Sequence, residues 1–409
     1  MTALATLALP HLPIGEQAFA DGPDPFVLSA LSQHPWLARS DLGVVVTDYD
    51  ACNDILMMDA KLKTPAEHIV AIMGGKGTKW ARFEVECLIA RDGSDHARIR
   101  GAINRAFLPR AVNGYGERIR EVVIALLDEW APKGAFEFQD FASRFPVAVM
   151  FGLVGVDRAR IAEVKDLLEI VGQSFSLDST LFPAIRVAFD ELWRLVDSLI
   201  VERMRSARPC EPDLLDAIVA AERESKLTST EARDVLLFLF VAGYDTSKNQ
   251  LTHIVNLLLD RPALWRRCAR DRLYCNHVVD EALRHSGVAT SYRNVAAPFS
   301  YRGIDFAPGT MLIFPMGIVG RYSGPFEDGM RFDPERPNTN RHIAFGRGMH
   351  ICLGQFLARL QIAEGLHLIA QRLENPRRDG ERVWRPFPGV WGPRKLPIAF
   401  DVRQEETVA

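Results

Sequence analysis

Along most of the chain, apolar residues recur three and four positions apart, which places them on one face of a helix. Between Glu117 and Leu273 this spacing is carried first by Ile119, Val122, Val123, Leu126, Leu127 and Trp130, with charged residues between them. Breaks near Pro132-Lys133-Gly134, Asp157, Asp178 to Pro183, and Arg208 to Pro212 divide the stretch into successive helices. Nearer the N-terminus the pattern predicts a helix over 17–34 and an extended segment from Trp36 to Thr47. Within that segment Leu42-Gly43-Val44-Val45-Val46-Thr47 is rich in β-branched residues, and the chain returns to helix from Asp48 to Met57. Leu312 to Pro315 is again strand-like. Thr64 to Arg91 shows neither period: Gly74, Gly75 and Gly77 surround Lys76, with Ile72, Met73, Trp80 and Phe83 nearby, and the prediction is a long irregular loop of the kind that covers binding sites. A helix then enters at Asp95 and continues to Phe107, before Pro109.

One helix departs from the amphipathic pattern. Thr228-Ser229-Thr230-Glu231 reads as a capping box and Pro262 as a stop, so about 30 residues would span roughly 45 Å. Val235 to Ala242 is continuously apolar, as in a helix buried on all sides. Gly243-Tyr244-Asp245-Thr246-Ser247 interrupts it at the centre. A carboxylate and a hydroxyl there cost several kcal/mol unless hydrogen-bonded. They therefore mark a functional site, or else Thr246 bonds back to the carbonyl one turn earlier and Asp245 finds a basic partner.

A second unusual stretch is Phe345-Gly346-Arg347-Gly348-Met349-His350-Ile351-Cys352-Leu353-Gly354, followed by the apolar-periodic run Gln355 to Leu373. The glycines permit a turn that presents Cys352 at a helix start, where unpaired N–H groups favour a thiolate. A thiolate is a soft metal ligand, and on haem iron it favours O–O cleavage. An inert buried cysteine is the plainer alternative. Zinc fits less well, because only His350 lies near Cys352 in sequence. His96 and Arg100, four apart, share a helix face and can meet one anion or form a solvated basic face. Glu281 and Arg284 are opposite charges at helical spacing.

The 409 residues carry no linker, repeat or low-complexity tract, which suggests one large domain over 1–409. Hydrophobic residues at 48% and charged residues at 25% fit a globular protein, and a net charge of −3 argues against nucleic acid as a partner. The cysteines at 52, 87, 210, 268, 275 and 352 are scattered, without a secretory signal, as expected of free thiols in a reducing cytoplasm. No apolar stretch is long enough for a membrane anchor.

Taken together, Phe345, Gly348, His350, Cys352 and Gly354, Ala242 to Ser247, His96 with Arg100, Glu281 with Arg284, and Phe332 to Arg336 resemble, in order, the motifs of the cytochrome P-450 haem-thiolate monooxygenases of soluble bacterial type. The resemblance implies a mainly α fold with small β-sheets (α+β): a β-rich corner at about 36–64 walling the substrate entrance, a helical bulk over about 95–290, and the cysteine loop at 345–354. Haem b (iron protoporphyrin IX) would lie between the central helix and that loop, with Cys352 as metal ligand beside Phe345 and Gly354. Ala242 and Gly243 would form the O2 groove, and Asp245 and Thr246 the acid-alcohol pair, with Asp where Glu is commoner. His96, Arg100, Arg293 and His350 would hold the propionates. His350 stands where many members carry Arg, and Ser286-Gly287-Val288 replaces the usual proline-rich link before Arg293. Glu281, Arg284 and Arg336 would lock the core.

Family position gives Trp80, Phe83, Phe238, Val241, Ala242, Val288, Ala289 and Trp391 as substrate-lining residues, the last in a hairpin formed by Gly389 to Gly392 with Leu396-Pro397. The expected activity is O2-dependent hydroxylation of a small hydrophobic substrate, terpenoid or aromatic. Electrons would come from a ferredoxin and its NAD(P)H-dependent reductase, docking near Arg341, Arg347 and Arg359 on a monomeric, cytoplasmic protein. A peroxide-driven oxidant on the same scaffold and a non-enzymatic haem or ligand-binding protein are the alternatives.

Overall fold

The longest element is set by its caps. In the computed structural model, which describes residues 2–156, 158–206 and 213–402, a 31-residue helix runs Ser229–Leu259. Thr228 Oγ1 accepts from the Glu231 N–H while the Glu231 carboxylate accepts from the Thr228 N–H, so two otherwise unpaired donors are satisfied reciprocally. Phe138–Val154 packs along this central helix, and Ile161–Gly172 and Phe182–Arg205 lie against it further on. On the other side Arg272–Ser286 and Gln355–Arg372 pack on it and on each other. The breaks expected at Asp157 and at Arg208 to Pro212, and with them Cys210, lie outside the described residues.

The β-structure is small. Five strands form a sheet in the order Leu37–Ser40, Gly43–Val46, Met311–Phe314, Ser291–Val295, Leu62–Lys63. Only the Gly43–Val46 and Met311–Phe314 pair is parallel. The β-branched run is buried at Val44, Val45 and Val46 because each face of the sheet meets a separate apolar cluster: Val44, Val46 and Leu312 on one, Val45 and Ile313 on the other.

Two sequence expectations are corrected. The helix predicted over 17–34 is two helices, Gln17–Asp21 and Asp24–Gln33, because Gly22 is extended and Pro23 cannot continue the first. Thr64 to Arg91 is not an irregular loop but holds the helices Ala66–Met73 and Lys79–Glu86. Gly74, at φ 71°, is the left-handed cap that ends the first, and Thr78 Oγ1 accepts from Ala81 N–H to start the second. Between them Gly75 is pressed against Trp80, whose ring would stand 2.6 Å from an added Cβ. The glycines therefore punctuate two short helices.

A buried ion pair ties the helix Arg272–Ser286 to the segments that follow it. Arg284 forks onto Glu281 through two 2.7 Å hydrogen bonds, with both side chains fully buried. Its remaining donors reach the carbonyls of Gly320, Gly329 and Arg331, and Glu281 also accepts from the Asp333 N–H. Arg336 stands further off, 3.7 Å from Glu281, and donates to the carbonyls of Glu327, Asp328 and Arg331. Thus all three residues meet, with unequal weight. Removing one partner of such a pair strands a buried charge, so Glu281→Ala is expected to lower stability by about 3–5 kcal/mol. Arg336→Ala should cost clearly less, and comparison of their urea midpoints checks this; equal losses would contradict the ranking.

Candidate active site

The cysteine loop is closed by its own backbone. Cys352 N–H donates to Phe345 O at 2.9 Å, and Gly346 and Gly348 between them take positive φ values of 75° and 69°. Gly348 has a second requirement: an added Cβ would lie 2.5 Å from Asp59 Oδ1 and 2.6 Å from Leu56 O. Asp59 in turn accepts from the Met349 N–H with both oxygens at 3.0 Å. The loop delivers Cys352 three residues before the helix Gln355–Arg372. Burial raises the thiol pKa, opposed by the Gly354 N–H, Arg100 and Arg359. The helix start therefore does not by itself make Cys352 a thiolate; a bound metal has to supply the remaining stabilisation.

Beside it the expected basic residues converge. The rings of His96 and His350 meet edge-on with centroids 4.9 Å apart, and His350 Nε2 lies 3.0 Å from Asp92 Oδ1. Arg293 Nη1 donates to Ser291 Oγ and Tyr292 O, each at 2.8 Å. Arg100 has no ion pair among the described residues. The shifts record the crowding. Burial, then His350 and Arg100, press the pKa of His96 down to about 4. Burial takes Arg293 down to about 10 and also lowers Arg100 and His350. The nearby acids that oppose these shifts are Asp59 and Asp92. Two arginines without an ion pair among the described residues, flanked by histidines that burial keeps from charging and next to a soft sulfur donor, suit a group bearing one metal and two carboxylates. Haem has that composition, and Gly354 leaves open space where a Cβ would stand. Among the described residues no three His, Cys, Asp or Glu side chains gather as a conventional metal site.

The central helix holds the opposing polar groups. Thr246 Oγ1 donates to Ala242 O at 2.9 Å. Asp245 does find basic partners: Arg385 reaches its two oxygens at 2.8 and 3.0 Å, Lys248 lies at 3.0 Å, and Asn249 Nδ2 donates at 2.9 Å. Glu169, from the helix Ile161–Gly172, completes the network by accepting from Arg385 and Tyr244 at 2.6 Å and from Lys248. Burial alone would raise the Glu169 pKa, but Lys248 and Arg385 outweigh it and hold the group at about 2. Asp245 therefore faces this network and makes no bond to the Thr246 hydroxyl. Next along, Ser247 Oγ accepts from Gln361 Nε2 at 2.6 Å, joining the central helix to the helix that follows Cys352.

Of the expected substrate-lining residues, Phe238, Ala242 and Ala289 are half-buried, while Val241 and Val288 are nearly covered. Trp80 and Phe83 lie in the main core, packed on Phe182 and Phe189. Trp391 is misplaced by the sequence reading. Its side chain turns into the N-terminal corner, stacking on Trp384 at 5.0 Å and donating to Ala20 O at 2.9 Å. Its backbone, with Val390 paired to Ala289, is what reaches the site. Glu169, Lys248 and Arg385 escaped sequence reasoning. Only Lys248 left a signal, a charge one turn beyond Asp245 in an otherwise buried helix.

Comparison with known proteins agrees with this geometry. The family model described as Cytochrome P450 matches residues 44–393. The luteothin monooxygenase of Streptomyces thioluteus is 31% identical over 399 residues, 96% of each chain. The mycinamicin IV hydroxylase/epoxidase of Micromonospora griseorubida is 29% identical over 84% of this chain and 90% of its own. Among solved structures CalO2 superposes with a TM-score of 0.86 at 21% identity, covering 96% of this chain and 100% of its own. The epothilone B-bound cytochrome P450epoK gives 0.85 at 21%, covering 95% and 99%. The family model spans most of the chain, a relative is 31% identical across nearly all of it, and the fold is that of the solved structures, so the chain belongs to the cytochrome P450 family.

Proposed function

We propose that this monooxygenase hydroxylates a small apolar substrate, with Thr246 as the residue that passes protons to O2 and a ferredoxin as the electron source. The observation that carries the reading is the position of Thr246 on the half-buried face of an otherwise buried helix, tied through the adjacent Ser247 to the helix behind Cys352. When bound, haem b supplies the binding and reductive activation of O2. The protein's own part is to hold ligands, water and protons. Cys352 loses its proton on ligation, and the Gly354 N–H, Arg100 and Arg359 stabilise the resulting charge. His96, Arg100, Arg293 and His350 would pair with the propionates. Phe238, Val241, Val288 and Ala289 supply apolar wall.

Thr246 Oγ donates to Ala242 O, so its lone pairs are free to accept from water; rotation about χ1 then presents its proton to the site. Asp245 can resupply that proton only after leaving Arg385 and Lys248, which hold it in the conformation seen here. The acid-alcohol pair is thus assembled with the acid turned away. Electron delivery is read from surface charge. Arg341 is exposed and Arg347 half-buried near the loop, whereas Arg359 is engaged by Asp280 at 2.8 Å and stacks on Phe345. Arg341 and Arg347 therefore contribute more than Arg359 to an acidic partner's docking.

Thr246→Ala is expected to keep haem binding and reductant consumption while product per reductant falls at least about tenfold, the lower part of what a positioned proton donor contributes. Product yield measured against peroxide release checks this, and unchanged coupling would remove Thr246 from the role. Arg347→Glu, alone and with Arg341→Glu, should slow reduction by an acidic ferredoxin about tenfold at low ionic strength, with the deficit shrinking as salt screens the surface. Rates equal to wild type at low salt, by stopped flow, would place docking elsewhere.

A further inference from the structure

Beside the cysteine loop, three segments meet on one carboxylate oxygen. Asp280, from the helix Arg272–Ser286, accepts from Arg359 Nε at 2.8 Å on Oδ1, and the same oxygen stands 3.7 Å from His342 Nε2. Arg359 lies on the helix that follows Cys352, and His342 precedes Phe345, where the loop begins, by three residues. Both partners also touch Phe345. Arg359 Cζ is 4.9 Å from the centre of the Phe345 ring, a separation at which the ring face attracts a guanidinium, and the His342 ring packs on Phe345 at 5.6 Å. The Phe345 carbonyl in turn accepts the Cys352 N–H.

The hydrogen-bond roles explain why this contact needs the carboxylate. Burial lowers the pKa of His342, which favours the neutral ring, and Nδ1 accepts from the Ala344 N–H at 3.2 Å. A neutral imidazole that accepts at Nδ1 carries its proton on Nε2. That N–H faces Arg359 Nη2 at 3.0 Å, so two donors meet with no lone pair between them. Asp280 Oδ1 is the acceptor that reconciles them. Burial alone would raise the Asp280 pKa, but the bond to His342 and the charge of Arg359 outweigh it, and the group stays ionised. With the carboxylate removed, the guanidinium is left against a ring N–H and turns off the Phe345 face. The consequence reaches Cys352, because Arg100 and Arg359 are the cations that act on its thiol, whereas Asp280 is not among the groups that do.

We infer that Asp280 is a positioning residue for electron uptake: by sharing one oxygen between Arg359 and His342 it holds a positive charge against Phe345, and that charge sets how readily the haem iron is reduced. This rests on Cys352 being the iron ligand. An electron added beside Cys352 is stabilised by a nearby cation, the more so where solvent is excluded. Asp280 is itself an anion, so through its own charge its loss would favour reduction. Through Arg359 its loss disfavours reduction. The two routes therefore differ in sign.

The test is the midpoint potential of the haem-loaded protein, measured by spectroelectrochemical titration. Arg359→Gln should lower the equilibrium constant for reduction at least about threefold, a fall of about 30 mV at roughly 59 mV per tenfold for one electron. Asp280→Ala should also lower the potential in the wild-type background, should not lower it further when Arg359 is already Gln, and should be largely reversed by Asp280→Glu. A potential that rises in Asp280→Ala, or that shifts equally with and without Arg359, overturns the inference. If Asp280→Ala does not load haem, Arg359→Lys decides the matter, since lysine keeps the charge without the planar fork: a lowered potential supports the inference, and a wild-type potential overturns it. Lack of a red-shifted Soret band in the reduced, carbon monoxide-bound wild type removes the underlying ligand reading, whereas a normal band with independent effects of the two residues removes this inference alone.

Discussion

The structure depends on the cost of placing polar groups in a helix that runs through the main core. Ser229–Leu259 is surrounded by protein for most of its length, so each charge on it must be met inside the fold. Asp234 is met by Arg82, Asp245 by Arg385 and Lys248, and Ser247 by Gln361. Apart from Lys248, which lies on the same helix, each partner comes from a different element. The pairs therefore fix how the short helix Lys79–Glu86, the C-terminal hairpin and the helix that follows Cys352 sit around the central one. Positioning of the site is a by-product of satisfying buried charge.

The same accounting gives the two sides of the site different electrostatic characters. Around Cys352, Arg100 and Arg293 make no ion pair among the described residues and burial keeps His96 and His350 from charging, so two carboxylates would find unengaged donors there. Across the site, Asp245 and Glu169 against Lys248 and Arg385 are balanced in number, and that balance locks Asp245. Charge left unpaired points to a ligand, while charge in balance points to a mechanical tie. By this criterion the network at Asp245 is a tie that has to open before the residue can carry a proton.

Much of the site was legible in the sequence because its signals are local. The capping box at Thr228, the glycine turn ahead of Cys352 and the four-residue spacing of His96 and Arg100 each follow from rules acting within a few residues. What failed was long-range. Arg385, which pairs with Asp245, lies 140 residues after it, and Glu169, which shares Arg385 and Lys248 with it, lies 76 residues before; no local pattern announces either. Trp391 was placed by family position, but the indole follows the aromatic cluster of Phe19, Trp384 and Phe387, a tertiary preference invisible in the hairpin itself. In Thr64 to Arg91 three glycines predict a loop, although two of them are cap and close approach around short helices. There the period was present but too short to outweigh composition.

The central claim is that Cys352 ligates haem iron as a thiolate in a pocket that raises the pKa of the free thiol. The most direct measurement is the absorption spectrum of the reduced, carbon monoxide-bound protein beside that of Cys352→Ser. The account predicts a strongly red-shifted Soret band in the wild type that is lost in the variant. A band at the position of an imidazole-ligated haem in freshly prepared wild type, or a red-shifted band that survives in Cys352→Ser, would contradict it.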